Sequence, residues 1–209
     1  MRIIEHFLSL QGEGLMIGRL TYFIRTAGCS LRCSWCDTAW SRDPNQGEEM
    51  SVDSIMSLIG DTENVCLTGG EPLEQPEAPE LLRRLVDAGK TVVLETNGAA
   101  DISVVPASDK IIISMDVKCP SSGMSGSFRM SNMDFMSRKD QLKFVIADRT
   151  DLDYAEDFIV EHPTEANVIF SAVGGLEIRT LAEEVVSKKL DVRVLPQLHK
   201  LIWGDRKGV

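Results

Sequence analysis

The chain has 209 residues, 43% of them hydrophobic and 26% charged, which suits one globular domain, residues 1–209, with a sizeable core. Its formal net charge of −10 argues against extended contact with a nucleic-acid backbone. Its longest apolar runs, such as 91–94 and 111–113, are far too short to span a membrane, and it opens on a strand-like stretch with no apolar leader, so a cytoplasmic protein is expected.

In chain order, residues 3–8 and 21–26 are strand candidates, joined by the polar stretch Leu10-Gln11-Gly12-Glu13-Gly14. Three of the five cysteines then fall within eight residues, 29–36, a spacing and an odd count that speak against a disulfide framework. Ser51 can cap a helix running through Ile59, because Val52, Ile55, Met56 and Ile59 share a face. A strand over 64–68 leads into Gly69-Gly70-Glu71-Pro72 and a helix over 76–88, whose stripe is Leu81, Leu82, Leu85 and Val86 and whose stop is Gly89. Strands follow at 91–95, 110–115, 141–146, 168–171 and 192–195, with helices at 151–161 and 178–188. Residues 119–139 carry Met124, Met130, Met133 and Met136 but no convincing strand. They read equally as a mobile flap or a packed short helix.

Several of these strands lack polar alternation, as expected where both faces of a parallel sheet are covered. Strands alternating with helices give an α/β fold with right-handed crossovers, either an open sheet or a partial barrel. Ligands of both architectures gather at the carboxyl ends of the strands. The clusters Gly69-Gly70-Glu71, Glu95-Thr96-Asn97, Asp116-Val117-Lys118 and Gln197-Leu198-His199 each follow a strand, so four strand ends are expected to face one site.

Cys29, Cys33 and Cys36 form a CxxxCxxC group after the second strand. Three thiolates on one short loop can each take one iron of a four-iron cubane and leave the fourth iron open to chemistry. The alternative is a zinc site completed by His6, His162 or His199, all distant in sequence, and no second cysteine knuckle accompanies it. Cys66 reads as core and Cys119 as a small buried side chain.

CxxxCxxC followed by Gly69-Gly70-Glu71-Pro72 resembles the radical S-adenosylmethionine (SAM) superfamily. The resemblance implies an incomplete β/α barrel with about six core parallel strands and a [4Fe–4S] cluster on Cys29, Cys33 and Cys36. It also implies SAM bound to the open iron and cleaved reductively to a radical that takes hydrogen from substrate. Glycines at 69 and 70 would let the backbone approach SAM, and Glu71 would accept a charge-assisted hydrogen bond from its ammonium.

Leu10-Gln11-Gly12-Glu13-Gly14, Phe23-Ile24-Arg25, Cys36-Asp37-Thr38, Glu95-Thr96-Asn97-Gly98 and Gln197-Leu198-His199-Lys200 together resemble the 7-carboxy-7-deazaguanine synthase family over the whole chain. That family converts 6-carboxy-5,6,7,8-tetrahydropterin to 7-carboxy-7-deazaguanine with loss of ammonia, on the route to queuosine. By this resemblance SAM meets Trp35, Cys36, Asp37, Gly70, Glu71, Glu95, Thr96, Asn97, Asp116 and Lys118, while the contact near Ser171 stays open. Thr38 holds Mg²⁺. Substrate meets Leu10, Gln11, Gly12, Glu13, Thr68, Gln197, His199 and Val209, with Arg25 anchoring its carboxylate. A homodimer and an electron donor such as flavodoxin are further implied. The competing readings are an activase acting on a glycine of a partner protein, and a non-enzymatic iron–sulfur or zinc module.

Overall fold

The computed structural model describes residues 1–174 and 178–209. Among the described residues nine strands form one sheet: β1 (Arg2–Leu10), β2 (Leu20–Thr26), β3 (Glu48–Glu49), β4 (Asn64–Gly69), β5 (Thr91–Thr96), β6 (Ile111–Val117), β7 (Gln141–Ile146), β8 (Asn167–Ala172) and β9 (Arg193–Val194). Their order is β3-β1-β2-β4-β5-β6-β7-β8-β9. β1 runs antiparallel to both its neighbours, and every pairing from β2 onward is parallel. The parallel run is the expected set of six strands plus the two-residue β9, and the sheet stays open instead of closing.

Five α-helices accompany it among the described residues: α1 (Val52–Ile59), α2 (Ala78–Asp87), α3 (Arg149–Glu161), α4 (Arg179–Lys188) and α5 (Leu198–Trp203). Local chemistry sets their ends. Ser51 caps α1, its side chain accepting from Ser54 N at 3.1 Å. Asp148 caps α3 in the same way through Asp151 N, which starts that helix two residues earlier than expected. α2 starts two residues later than expected, because Pro72–Glu74 winds as a separate 3₁₀ turn capped by Glu71. None of these helices is long and apolar enough to cross a membrane, among the described residues.

The strands alternate, but between an apolar and a mixed face. Leu67, Leu94, Met115, Leu142 and Phe144 point into the main core against Leu81, Leu82 and Leu85 of α2 and Leu152 and Phe158 of α3. Each such buried side chain contributes about 1.5–3 kcal/mol of hydrophobic stabilisation. The residues between them form the other face of the sheet, which holds the functional cavity. Residues 119–139 are packed, in three 3₁₀ turns (Pro120–Ser122, Ser125–Ser127 and Met130–Phe135). Met133 and Met136 lie against the core. Fully buried Asn132 donates to the carbonyls of Gly98 and Ala100 at 3.1 and 2.8 Å.

Candidate active site

The open face of the sheet presents a row of polar side chains, one from each of five adjacent strands. They are Arg25 on β2, Thr68 on β4, Glu95 on β5, Asp116 on β6 and Lys143 on β7, and all line one cavity of about 370 Å³. Register explains the row, since Arg25 lies beside Thr68 and Asp116 beside Lys143 in neighbouring strands. Thr68 Oγ1 donates to Glu95 Oε2 at 2.8 Å. Phe7 and Phe23, stacked with centroids 5.2 Å apart, give the same cavity an apolar floor.

Arg25 Nε donates to Glu5 Oε1 at 2.7 Å. Its terminal nitrogens make no hydrogen bond among the described residues, so the far edge of the guanidinium is available to a carboxylate. Asp116 is paired through Oδ2 with Lys118 Nζ at 2.6 Å. Its Oδ1 lies 3.3 Å from Lys143 Nζ but is buried without a hydrogen bond among the described residues. Burial opposes ionisation of Asp116, yet Lys118 and Lys143 hold its carboxyl below the ordinary range. Burial likewise opposes the charge on Lys118, and Asp116 more than restores it.

The cluster loop forms one wall. Cys29, Cys33 and Cys36 all line the cavity as free thiols. Burial pushes the thiols of Cys29 and Cys33 up. Asn97 Nδ2 donates toward Cys29 Sγ at 3.6 Å. Trp35 is fixed from behind, its Nε1 donating to Ser121 Oγ at 2.9 Å, while Lys118 Nζ sits 5.7 Å from its ring centroid. Ser121 Oγ in turn donates to Asp151 Oδ2 at 2.5 Å, which ties the loop to α3. Asp37 and Thr38 complete this wall. Thr38 stands at the cap position of the 3₁₀ turn Ala39–Ser41, but its hydroxyl makes no capping bond and lies 3.7 Å from Cys36 Sγ.

Opposite lies the loop after β1. Leu10, Gln11, Gly12 and Glu13 line the cavity, joined by Gln197, His199 and Val209 from the C-terminal segment. Gln11 folds back on its own backbone, Oε1 accepting from Gly12 N at 2.8 Å and Glu13 N at 3.4 Å. Its Nε2 is buried without a partner among the described residues. Glu13 is what this loop presents, with Lys143 Nζ at 2.6 Å from Oε2 and Gln197 Nε2 at 2.6 Å from Oε1. His199 sits on the first turn of α5, not on a strand end, and its ring occupies the space a Cβ on Gly12 would need.

Glu71 is the one expected site residue that does not reach the cavity. It is fully buried behind the wall, where it accepts from Leu73 N, Thr96 Oγ1 and Asn97 N at 3.1, 2.9 and 2.7 Å. It therefore holds Thr96 and Asn97, which do line the cavity. Gly70 also lines it, but the close approach it permits is to the protein itself, since a Cβ would overlap the Gly28 carbonyl oxygen. Ser171 is buried, and the lining near it comes from Val173 and Gly174. Lys143 and Arg42 line the cavity without having been anticipated. The signal for Lys143 was a lysine in mid-strand among apolar residues, a position a lysine holds only when paired.

Comparison with known proteins decides the family. The radical SAM superfamily model matches residues 23–117. A 7-carboxy-7-deazaguanine synthase from Thermoplasma acidophilum is 42% identical over 211 residues, covering all of both chains. The chain belongs to the 7-carboxy-7-deazaguanine synthase family. A second member, from Methanospirillum hungatei, is 44% identical over 97% of this chain and 85% of its own length. In fold the chain is similar to QueE from Escherichia coli, with a TM-score of 0.71 at 20% identity over 92% of each chain. As a radical SAM enzyme of this family it uses a [4Fe–4S] cluster and SAM. Among the described residues no three His, Cys, Asp or Glu side chains are gathered tightly enough to hold a single metal ion. A cubane has no such requirement, because each thiolate binds a different iron. The donor set fits the cluster: three thiols on one wall of a cavity roomy enough for further ligands.

Proposed function

We propose that the chain converts 6-carboxy-5,6,7,8-tetrahydropterin to 7-carboxy-7-deazaguanine with release of ammonia, its cluster held by Cys29, Cys33 and Cys36. The observation that carries this reading is that the free edge of Arg25 and the three thiols open onto the same cavity. The names of its full-length relatives support it. When bound, the cluster and SAM supply the hydrogen-abstracting chemistry. The chain supplies position and exclusion of water.

On the SAM side stand Trp35, Asp37, Gly70, Glu95, Thr96, Asn97, Asp116 and Lys118, with Glu71 supporting Thr96 and Asn97 from behind. On the substrate side Arg25 takes the carboxylate as a bidentate guanidinium partner. Glu13 accepts from the N–H edge of the pterin, and Gln197, His199 and the backbone of 10–12 complete the polar rim. Thr68, hydrogen-bonded to Glu95, sits between the two sides. The Thr38 hydroxyl ligates Mg²⁺, a hard cation that keeps most of its waters and takes few protein oxygens. The reading also brings an external one-electron donor such as flavodoxin, a cytoplasmic setting and a homodimer. Exposed Leu8 and Leu20, which border a shallow groove with Trp203, support the dimer.

The test is binding to the SAM-loaded protein of the carboxypterin and of the tetrahydropterin lacking the carboxylate. Wild type should favour the carboxylated compound by about tenfold or more, and Arg25→Ala should abolish the preference. Equal binding of the two by wild type would contradict the reading.

A further inference from the structure

β7 carries a full charge in the middle of a buried strand. Gln141, Lys143 and Val145 face the open side of the sheet, while Leu142, Phe144 and Ile146 face the main core. The side chain of Lys143 is 8% exposed, and its ammonium stands 2.6 Å from Glu13 Oε2 and 3.3 Å from Asp116 Oδ1. Asp116 is its neighbour in register across β6 and β7, whereas Glu13 comes from the loop after β1.

We propose that Lys143 is a positioning residue for substrate, acting through Glu13: it locks that carboxylate toward the cavity and couples the substrate rim to the SAM-side Asp116. The inference rests on the functional reading above. Two features separate this role from simple support of the loop. The loop has its own fastening two residues away, where Gln141 Oε1 accepts from Leu15 N at 2.7 Å and Gln141 Nε2 donates to Ser114 Oγ at 2.6 Å. Lys143 instead meets a side chain that lines the cavity. Asp116 keeps Lys118 as a partner when Lys143 is removed, but Glu13 is left, among the described residues, with the neutral amide of Gln197 as its hydrogen-bond donor and His199 nearby. Burial alone would push the Glu13 carboxyl up, and the Lys143 ammonium overrides it, holding the group below its ordinary value. Without the Lys143 charge, Glu13 beside Asp116 would turn from its like charge and leave the N–H edge of the pterin without its acceptor.

The test measures binding of 6-carboxytetrahydropterin to anaerobically reconstituted, SAM-loaded protein without reductant, in wild type, Lys143→Met, Glu13→Gln and the double variant. Lys143→Met should weaken pterin binding about 30-fold or more, the loss that follows removal of one partner from a buried charge pair. SAM affinity should change less than about threefold, because Asp116 retains Lys118. In the Glu13→Gln background, Lys143→Met should cost less than about threefold further, since the residue it acts through is already neutral. Wild-type affinity in Lys143→Met overturns the proposal, and so does an equal loss in both backgrounds, which would mean a direct or purely structural role. If Lys143→Met fails to fold, Glu13→Gln and the double variant decide alone. Matching affinities support the proposal, and a large further loss overturns it. Failure of wild type to bind the pterin would instead overturn the functional reading, before any variant is compared.

Discussion

A carboxylate sealed from water must be compensated, and Glu71 has three donors around it. Burial still outweighs them and raises its pKa from 4.5 to about 7. In the unfolded chain the group ionises at its ordinary value, whereas in the folded chain it resists until near neutrality. The native state therefore binds more protons in between, and stability declines as pH rises from about 4.5 to about 7. Glu71→Gln cannot ionise and escapes this decline. Its melting temperature should fall furthest below wild type near pH 5, and the gap should narrow by pH 8. A gap that stays constant across that range would contradict the account. The Gly-Gly-Glu-Pro motif implies a contact of Glu71 with SAM, and its carboxylate is turned to Leu73, Thr96 and Asn97, a direction that residue types alone do not give. Lys143 was missed for a related reason. The pattern around it reads as a strand, but its partner Glu13 lies 130 residues away.

Among the elements, the turn after β4 depends on the absence of a side chain. Gly70 N donates to Thr26 O at 3.0 Å and Glu71 N to Gly28 O at 2.7 Å, so this turn is stitched to the backbone leading into Cys29. A methyl group at Gly70 would overlap the Gly28 carbonyl. Gly70→Ala should cost about 1–3 kcal/mol, lower the melting temperature by several degrees and reduce the iron retained per chain. Gly126→Ala, where nothing lies within 4 Å of an added Cβ, should leave both unchanged. Normal iron loading in Gly70→Ala would show that the turn does not position the cluster loop. The long parallel strands and capped helices were legible in the sequence, because a buried apolar run or a Ser51-type cap is a local signal. β3, with two glutamates, and α5, with six residues, were not legible, being too short to show a period.

For the molecule as a whole, the open sheet leaves one end of the cavity to be covered by remote chain. The C-terminal segment does this, with Leu198 N donating to Gly12 O at 2.8 Å and Lys207 Nζ lying 3.9 Å from the Trp40 ring centroid. Periodicity tells which face of an element is buried but not which distant segment closes over it. The clusters after β4, β5 and β6 were therefore readable as one site, whereas the seating of His199 against Gly12 was not. The main core lies on one face of the sheet and the polar row on the other, where the smaller cluster of Phe23, Cys66 and Val93 with Phe7 underlies the cavity.

The proposed reaction turns a carboxypterin into a deazapurine in this cavity. Mass spectrometry of reconstituted protein incubated anaerobically with SAM, a reductant, Mg²⁺ and 6-carboxytetrahydropterin tests it most directly. 7-Carboxy-7-deazaguanine should accumulate with little net loss of SAM. Deoxyadenosine formed in step with SAM loss, and no deazaguanine, would contradict it.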